Sequence, residues 1–236
     1  MFINCQGLAG REVEVVKIKK RAVKKSKIKA IIFDVGGVLQ KFKLSGKDAL
    51  GIQEYLADKM EIALDSWFDA IDTPYGKSFI GEWNDDKVIS MISENLGISK
   101  KKLIKLYEEA VFKHFEKNKE LYKIVLGLKK KNYLIGILSD QWALSARYLI
   151  SKEDRELFDV IVLSNEAGIR KPDIKIYKLL FEKLKSKHPG IKPSEILFID
   201  NREYNLKPAQ KLGMKVILFE DNKQCIKELN RLRVFV

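Results

Sequence analysis

The sequence predicts an α/β fold in which a parallel sheet is flanked by helices and interrupted early by a helical insertion. Three observations carry that prediction. From residue 29 onward, short apolar runs of strand length alternate with segments of helical period. The first two runs are separated by about a hundred residues, far more than a crossover between parallel strands needs. A chain of 236 residues also lies at the upper end of what one hydrophobic core serves, which leaves room for an insertion or a second small domain.

The strand candidates, in order, are Ala30–Phe33, Tyr133–Leu138, Val160–Leu163, Ile196–Ile199 and Val216–Phe219. Helices lie between the later ones. Ile176, Leu180 and Leu184 recur every four residues after Pro172, and Ala209 and Leu212 precede Gly213, a helix stop. Within the long gap, Ala49, Ile52, Leu56 and Met60 mark one amphipathic stripe. Val88, Ile92 and Leu96 mark a second, and Leu103, Leu106 and Ala110 a third, with Gly97 and Ser99 between these two. The chain thus divides into a leader over 1–28, a core formed by 29–42 and 119–236, and a helical cap over 43–118. An insertion at that edge of a sheet suits a lid.

Composition narrows the function classes. Hydrophobic residues at 46% and charged residues at 33% describe a globular protein rather than a disordered or collagen-like one. No apolar stretch approaches the ~18 residues of a membrane helix. The lysine-rich segment follows the apolar start instead of preceding it, the wrong order for a signal peptide, so the expected location is cytoplasmic. The net charge of +13 is concentrated at the start, where residues 1–29 carry nine basic side chains against Glu12 and Glu14. That leader is the only hint of nucleic acid, and a solvated leader on a lysine-rich protein is the reading preferred over a polyanion-binding arm. The alternation in Glu12-Val13-Glu14-Val15 allows one edge strand. Cys5 and Cys225 make no disulfide framework, and His114 and His188 make no histidine-rich metal site, so carboxylates must hold any metal.

The residues beyond the strand ends point to one site. Asp34 follows the first strand, Ser139 and Asp140 the second, Arg170 and Lys171 lie in the loop after the third, and Asp200 and Asn201 follow the fourth. Ligands of open parallel sheets bind outside the carboxyl ends of the strands, so four strands deliver carboxylates, a hydroxyl and an ammonium to one edge. Each residue alone is an ordinary turn or cap residue; together they make a constellation. Gly36 and Gly37 add a tight turn whose backbone N–H groups can face an anion. No G-x-G-x-x-G and no Walker sequence is present, and no histidine lies in these loops to complete a Ser-His-Asp triad.

These motifs resemble those of the haloacid dehalogenase superfamily. Phe33-Asp34-Val35-Gly36-Gly37-Val38-Leu39 is similar to its first motif, Leu138-Ser139 to its second and Lys171-Pro172-Asp173 with Ile176-Tyr177 to its third. Phe198-Ile199-Asp200-Asn201, continuing through Asn205-Leu206-Lys207-Pro208-Ala209 to Leu212-Gly213-Met214, is similar to the fourth. The resemblance covers residues 29–232, with the helical insertion in the place of the first-type cap. It extends to the N-terminal phosphatase domain of epoxide hydrolases and to bacterial sugar-phosphate phosphatases.

The resemblance implies a Rossmann-like core and a phosphatase acting on a small phosphorylated metabolite. Asp34 would attack phosphorus to give an aspartyl-phosphate. Asp34, Asp200, Asn201 and the Gly36 carbonyl would hold Mg2+, a hard ion that keeps much of its water. Lys171, the Ser139 hydroxyl and the Asp140 N–H would hold phosphoryl oxygens. Two positions depart from the family pattern. Gly36 stands where a second Asp usually serves as general acid and base, and Asn201 stands where an Asp often follows the metal-binding one. Two alternatives remain, a dehalogenase-type hydrolase and a catalytically silent binding protein. Among the aromatics Trp67, Phe68, Tyr75, Phe79 and Trp83, most are expected in the cap core and one or two in the pocket, with Trp142 a further candidate.

Overall fold

The computed structural model describes residues 27–43 and 50–234. Ala30–Phe33 (β1) is wholly buried, as a strand covered on both faces must be. The chain then turns into Gln40–Phe42 (β2) and runs through four helices: Leu50–Met60 (α1), Leu64–Phe79 (α2), Asp85–Leu96 (α3) and Lys100–His114 (α4). It returns on Phe115–Lys117 (β3), which pairs antiparallel with β2, Phe42 opposite Phe115. Lys119–Lys130 (α5), Leu134–Ser139 (β4), Ala143–Leu149 (α6) and Lys152–Leu157 (α7) come after it. Next are Val160–Leu163 (β5), Ser164–Ala167 (α8), Ile174–Lys187 (α9), Ile196–Asp200 (β6), Glu203–Lys211 (α10), Lys215–Leu218 (β7) and Asn222–Arg231 (α11).

Five strands form one parallel sheet in the order β5-β4-β1-β6-β7. The period of two sorts their side chains onto two faces. Ile31, Phe33, Ile135, Ile137, Leu197 and Ile199 share a core with Leu121, Val125 and Leu128 of α5 and with Leu229 of α11. Ala30, Ile32, Leu138, Ile196 and Phe198 face the other way, onto Ile176, Leu180 and Leu184 of α9 and Leu206 and Ala209 of α10. The result is three layers, helix, sheet, helix. The first of these cores continues without a break into α1–α4, through Ile52, Leu56, Trp67, Ile92 and Leu103.

All five expected strands are present; β4 starts and ends one residue later than expected, β6 ends one residue later, and β7 starts and ends one residue earlier. Ser139 pairs with Leu163 and Asp200 with Leu218, so the ladder reaches these polar residues before the chain turns. Gly213 has φ 87° and closes α10 as expected, and Gly97 with φ 61° ends α3. Ser99 accepts from the Lys102 N–H at 3.2 Å and opens α4. The three expected stripes fall in α1, α3 and α4, whereas α2, which carries Tyr75 and Phe79, matches none of them. Ala49 and the Val13–Ile18 stretch lie outside the described residues. Among the described residues no helix is long and apolar enough to cross a membrane.

Candidate active site

Parallel pairing sets β4, β1 and β6 side by side, and their carboxyl ends bring together Ser139, Asp34 and Asp200. The loop between α8 and α9 then carries Lys171 across that edge. Its ammonium is buried and lies 3.0 Å from Asp34 Oδ1 and 2.6 Å from Asp200 Oδ2. It also donates to the Leu138 carbonyl at 3.3 Å. Burial pushes the Lys171 pKa down, but the carboxylates of Asp34, Asp200 and Asp140 outweigh it and leave the group raised. For Asp200, burial and then the Asp34 charge push the carboxyl up, with Lys171 opposing.

Asp200 is fully buried and held from several sides. Asn205 Nδ2 donates to its two oxygens at 3.2 and 3.0 Å, and the Arg202 N–H donates to Oδ1 at 2.8 Å. Tyr177 in turn donates its hydroxyl to the Asn205 carbonyl at 2.6 Å. Ser139 Oγ accepts from Gln141 Nε2 at 2.9 Å, which leaves the hydroxyl hydrogen to donate elsewhere. Gln141 is itself fixed by Ser145, whose hydroxyl donates to its Oε1 at 2.8 Å, and by Ser164 at its backbone N–H, 3.0 Å. Asp140 braces the lysine loop: Oδ1 accepts the Lys171 N–H at 2.9 Å, and Oδ2 lies 3.6 Å from Arg170 Nε. Its side chain thus shapes the site as well as charging it.

The glycine turn packs over the same edge. Gly37 has φ 79°, a conformation that favours glycine, and a Cβ there would come within 2.3 Å of Asn201 Nδ2 and displace that side chain. Gly36 is different: a Cβ there would meet nothing within 4 Å. The absent carboxyl group is therefore not a steric necessity of this turn.

A cavity of about 150 Å³ opens above these groups. Asp34, Gly36, Ser139, Asp140 and Lys171 line it, whereas Asp200 and Asn201 do not. On the helical side the lining comes from Ile52 and Gln53 of α1, Tyr75 and Phe79 of α2, and Tyr107 and Val111 of α4, with Trp142 beside them. Two of the five cap aromatics therefore reach the cavity. Trp67 is buried and donates from Nε1 to Gln53 Oε1 at 2.5 Å, Phe68 is exposed, and Trp83 lies under Lys87 at 4.3 Å. Tyr75 and Tyr107 meet the Trp142 ring edge-on at 5.0 and 5.4 Å, and Trp142 Nε1 donates to the Tyr107 hydroxyl at 3.1 Å. Gln141 and Arg202 join the site without a motif to announce them, and only their closeness to Ser139 and Asp200 in the sequence could have marked them; Asn205 lies in the fourth motif, which did not assign it a role.

The donor set suits a hard divalent cation. Among the described residues no three His, Cys, Asp or Glu side chains cluster for a metal, so Asp34 and Asp200 would have to be supplemented by neutral oxygens. Asn201 Oδ1 is buried and has no hydrogen-bond partner among the described residues, an acceptor of the required kind.

The family model for haloacid dehalogenase-like hydrolases matches residues 52–219. Asp34 and Gly36 precede that stretch, so their assignment to the site rests on the geometry above. Bifunctional epoxide hydrolase 2 of Sus scrofa is 33% identical over 120 residues, 49% of this chain and 21% of that protein, so the match spans about a fifth of that relative's length. Glyceraldehyde 3-phosphate phosphatase of Pyrococcus furiosus is 28% identical over 123 residues, 50% of this chain and 48% of that protein. Among solved structures, a HAD family enzyme of Bacteroides thetaiotaomicron matches with a TM-score of 0.66 at 22% identity, covering 84% of this chain and 96% of the other. The same enzyme, solved in complex with magnesium and inorganic phosphate, matches with a TM-score of 0.63. At that identity the likeness is one of fold.

Proposed function

Because the chain belongs to the haloacid dehalogenase-like hydrolase family, we propose that it is a Mg2+-dependent phosphatase of a small phosphorylated metabolite, with Asp34 as its nucleophile. The observation that carries this reading is the convergence of Asp34, Lys171 and Asp200 in contacts of 3.0 Å or less, with Asp34 and Lys171 lining a cavity and Asp200 buried against the lysine. Lys171 orients the Asp34 carboxylate and neutralises it as a phosphate dianion approaches. The free Asp34 oxygen attacks phosphorus, the bond to the ester oxygen breaks, and the leaving group departs with the electron pair. The Ser139 hydroxyl donates to a phosphoryl oxygen, held at its post by Gln141. Water then hydrolyses the aspartyl-phosphate and frees Asp34.

Asp34, Asp200, the Gly36 carbonyl and Asn201 would hold Mg2+, which supplies positive charge between nucleophile and phosphate. Support for magnesium and phosphate comes from the complex solved for the Bacteroides protein, and support for phosphatase chemistry from the Pyrococcus phosphatase. The dehalogenase reading leaves the deeply held Asp200 without a task. The silent-binder reading draws on Gly36 alone.

The test is magnesium-dependent release of phosphate from p-nitrophenyl phosphate by the purified chain. Activity is expected with Mg2+ and not with a chelator. The near-isosteric Asp34→Asn variant is expected to lose at least about 10³ of kcat while melting like the parent, since an amide cannot form the acyl phosphate. A variant that keeps most of its turnover ends the covalent mechanism.

A further inference from the structure

We propose that the rim of the cavity holds a second anion site, built on the guanidinium of Arg202 with Arg170 as its neighbour, and that the substrate carries a carboxylate on its leaving portion. The inference rests on the phosphatase reading and adds the substrate class to it.

Charge is the first ground. Three cations line the cavity, Arg170, Lys171 and Arg202. Lys171 is committed to Asp34 and Asp200. Arg170 is partly offset by Asp140 across 3.6 Å. Arg202 has no carboxylate within ion-pair distance of its guanidinium among the described residues, Asp34 and Asp200 acting on it only from further off; its Nη1 donates to the Tyr204 hydroxyl at 2.7 Å. Its main chain is pinned as well, through the N–H that donates to Asp200. A cation so positioned at the rim, oriented by a neutral group, is ready for an anion that the substrate brings.

Position agrees with charge. Arg170 lies over the Phe79 ring at 4.7 Å, and that ring lies 4.5 Å from Tyr75. The Tyr75 hydroxyl is pushed up by burial, and both Arg170 and Arg202 pull it back down. Arg170 thus sits against the α2 wall of the cavity, and Arg202 lines the same cavity. Size completes the choice. A cavity of about 150 Å³ must hold the phosphate as well as the leaving portion, so the leaving portion is short. With its phosphate at Asp34, such a leaving portion shares the cavity with the Arg170 and Arg202 side chains that line it. The planar fork of arginine matches a carboxylate there.

Binding can be measured without turnover. In calorimetric titrations of the full chain with Mg2+ at low salt, 3-phosphonopropanoate is compared with propylphosphonate, which lacks the carboxylate. The wild type is expected to bind the carboxylate analogue about tenfold more tightly, the scale of one charge-assisted pair. Arg202→Gln is expected to reduce that ratio to about twofold or less, and Arg202→Lys to keep part of it, since the charge stays and the fork is lost. Equal affinities in the wild type overturn the proposal, as does a ratio that survives the Arg170→Gln, Arg202→Gln double substitution. Failure of the phosphatase reading shows separately, as wild-type protein that releases no phosphate from p-nitrophenyl phosphate.

Discussion

A buried ammonium between two buried carboxylates is costly to assemble, and removing one member leaves the rest worse placed than before. Lys171→Met leaves Asp34 and Asp200 facing each other without their common partner. At pH 8 the loss is expected to be about 3–5 kcal/mol, on the order of 10 °C in melting temperature for a chain of this size. The Asp200 pKa is raised in the fold, and losing Lys171 raises it further. A raised carboxyl contributes stability that is present below its unfolded pKa and is lost as pH rises through its folded one. The deficit of the variant is therefore expected to shrink between pH 8 and pH 5 in metal-free thermal melts; a deficit independent of pH refutes the coupling. Gly36 makes the second residue-scale prediction. Without a carboxyl there, leaving groups depart with little help, so wild-type kcat/KM is expected to fall steeply with leaving-group pKa. Open space and a φ outside the positive range let Gly36→Asp be accommodated. It is expected to raise turnover of glycerol 3-phosphate at least about tenfold more than that of p-nitrophenyl phosphate, within the ~10²–10⁴ that positioned acid catalysis supplies. A flat wild-type dependence shows that another group already gives the proton, or that chemistry is not limiting. Asp34, Ser139, Lys171 and Asp200 were legible because each sits at a strand end or in a recognisable loop. Gln141 and Arg202 were not, and Asn205 was legible only as part of the fourth motif, because their work is to hold others across a turn or to face a cavity, and neither leaves a mark in spacing.

At the scale of elements, the sheet was readable because continuous apolar runs such as Ala30–Phe33 have strand length and alternate with segments of helical period. Strand ends were less so. Ser139 and Asp200 are polar, yet the ladder holds them through Leu163 and Leu218, and no hydropathy pattern carries that information. In α2 the buried positions Trp67, Ala70, Ile71 and Pro74 mix aromatic, small and cyclic side chains, which blurs the stripe that Ile52 and Leu56 make plain in α1. The three-residue strands β2 and β3 escape any periodicity argument by their length. Their place is secured instead by Asn118, the residue next after β3. Fully buried, it donates to the Val38 carbonyl at 2.9 Å and to Asn222 Oδ1 at 2.8 Å, while its own Oδ1 accepts the Leu121 N–H at 3.3 Å. One side chain thus ties the turn after β1, the start of α5 and the start of α11.

For the molecule as a whole, the described chain is anchored from Ile28, which is buried, and Lys29, whose N–H donates to the Glu195 carbonyl at 2.8 Å. Deletion of residues 1–26 is therefore expected to leave phosphate release and melting temperature nearly unchanged. A large fall in melting temperature shows instead that Val13–Ile18 joins the sheet, and salt-sensitive binding to RNA or DNA lost with the deletion assigns the basic stretch to a polyanion. The four helices α1–α4 leave the core on β2 and come back on β3, three residues paired with three. The two crossings stay adjacent whatever lies between them, and the cost of closing such an excursion grows only slowly with its length. Changes within α1–α4 can therefore remodel the wall that Ile52, Tyr75, Phe79 and Tyr107 give the cavity, while the strand ends that carry Asp34, Ser139 and Asp200 keep their places.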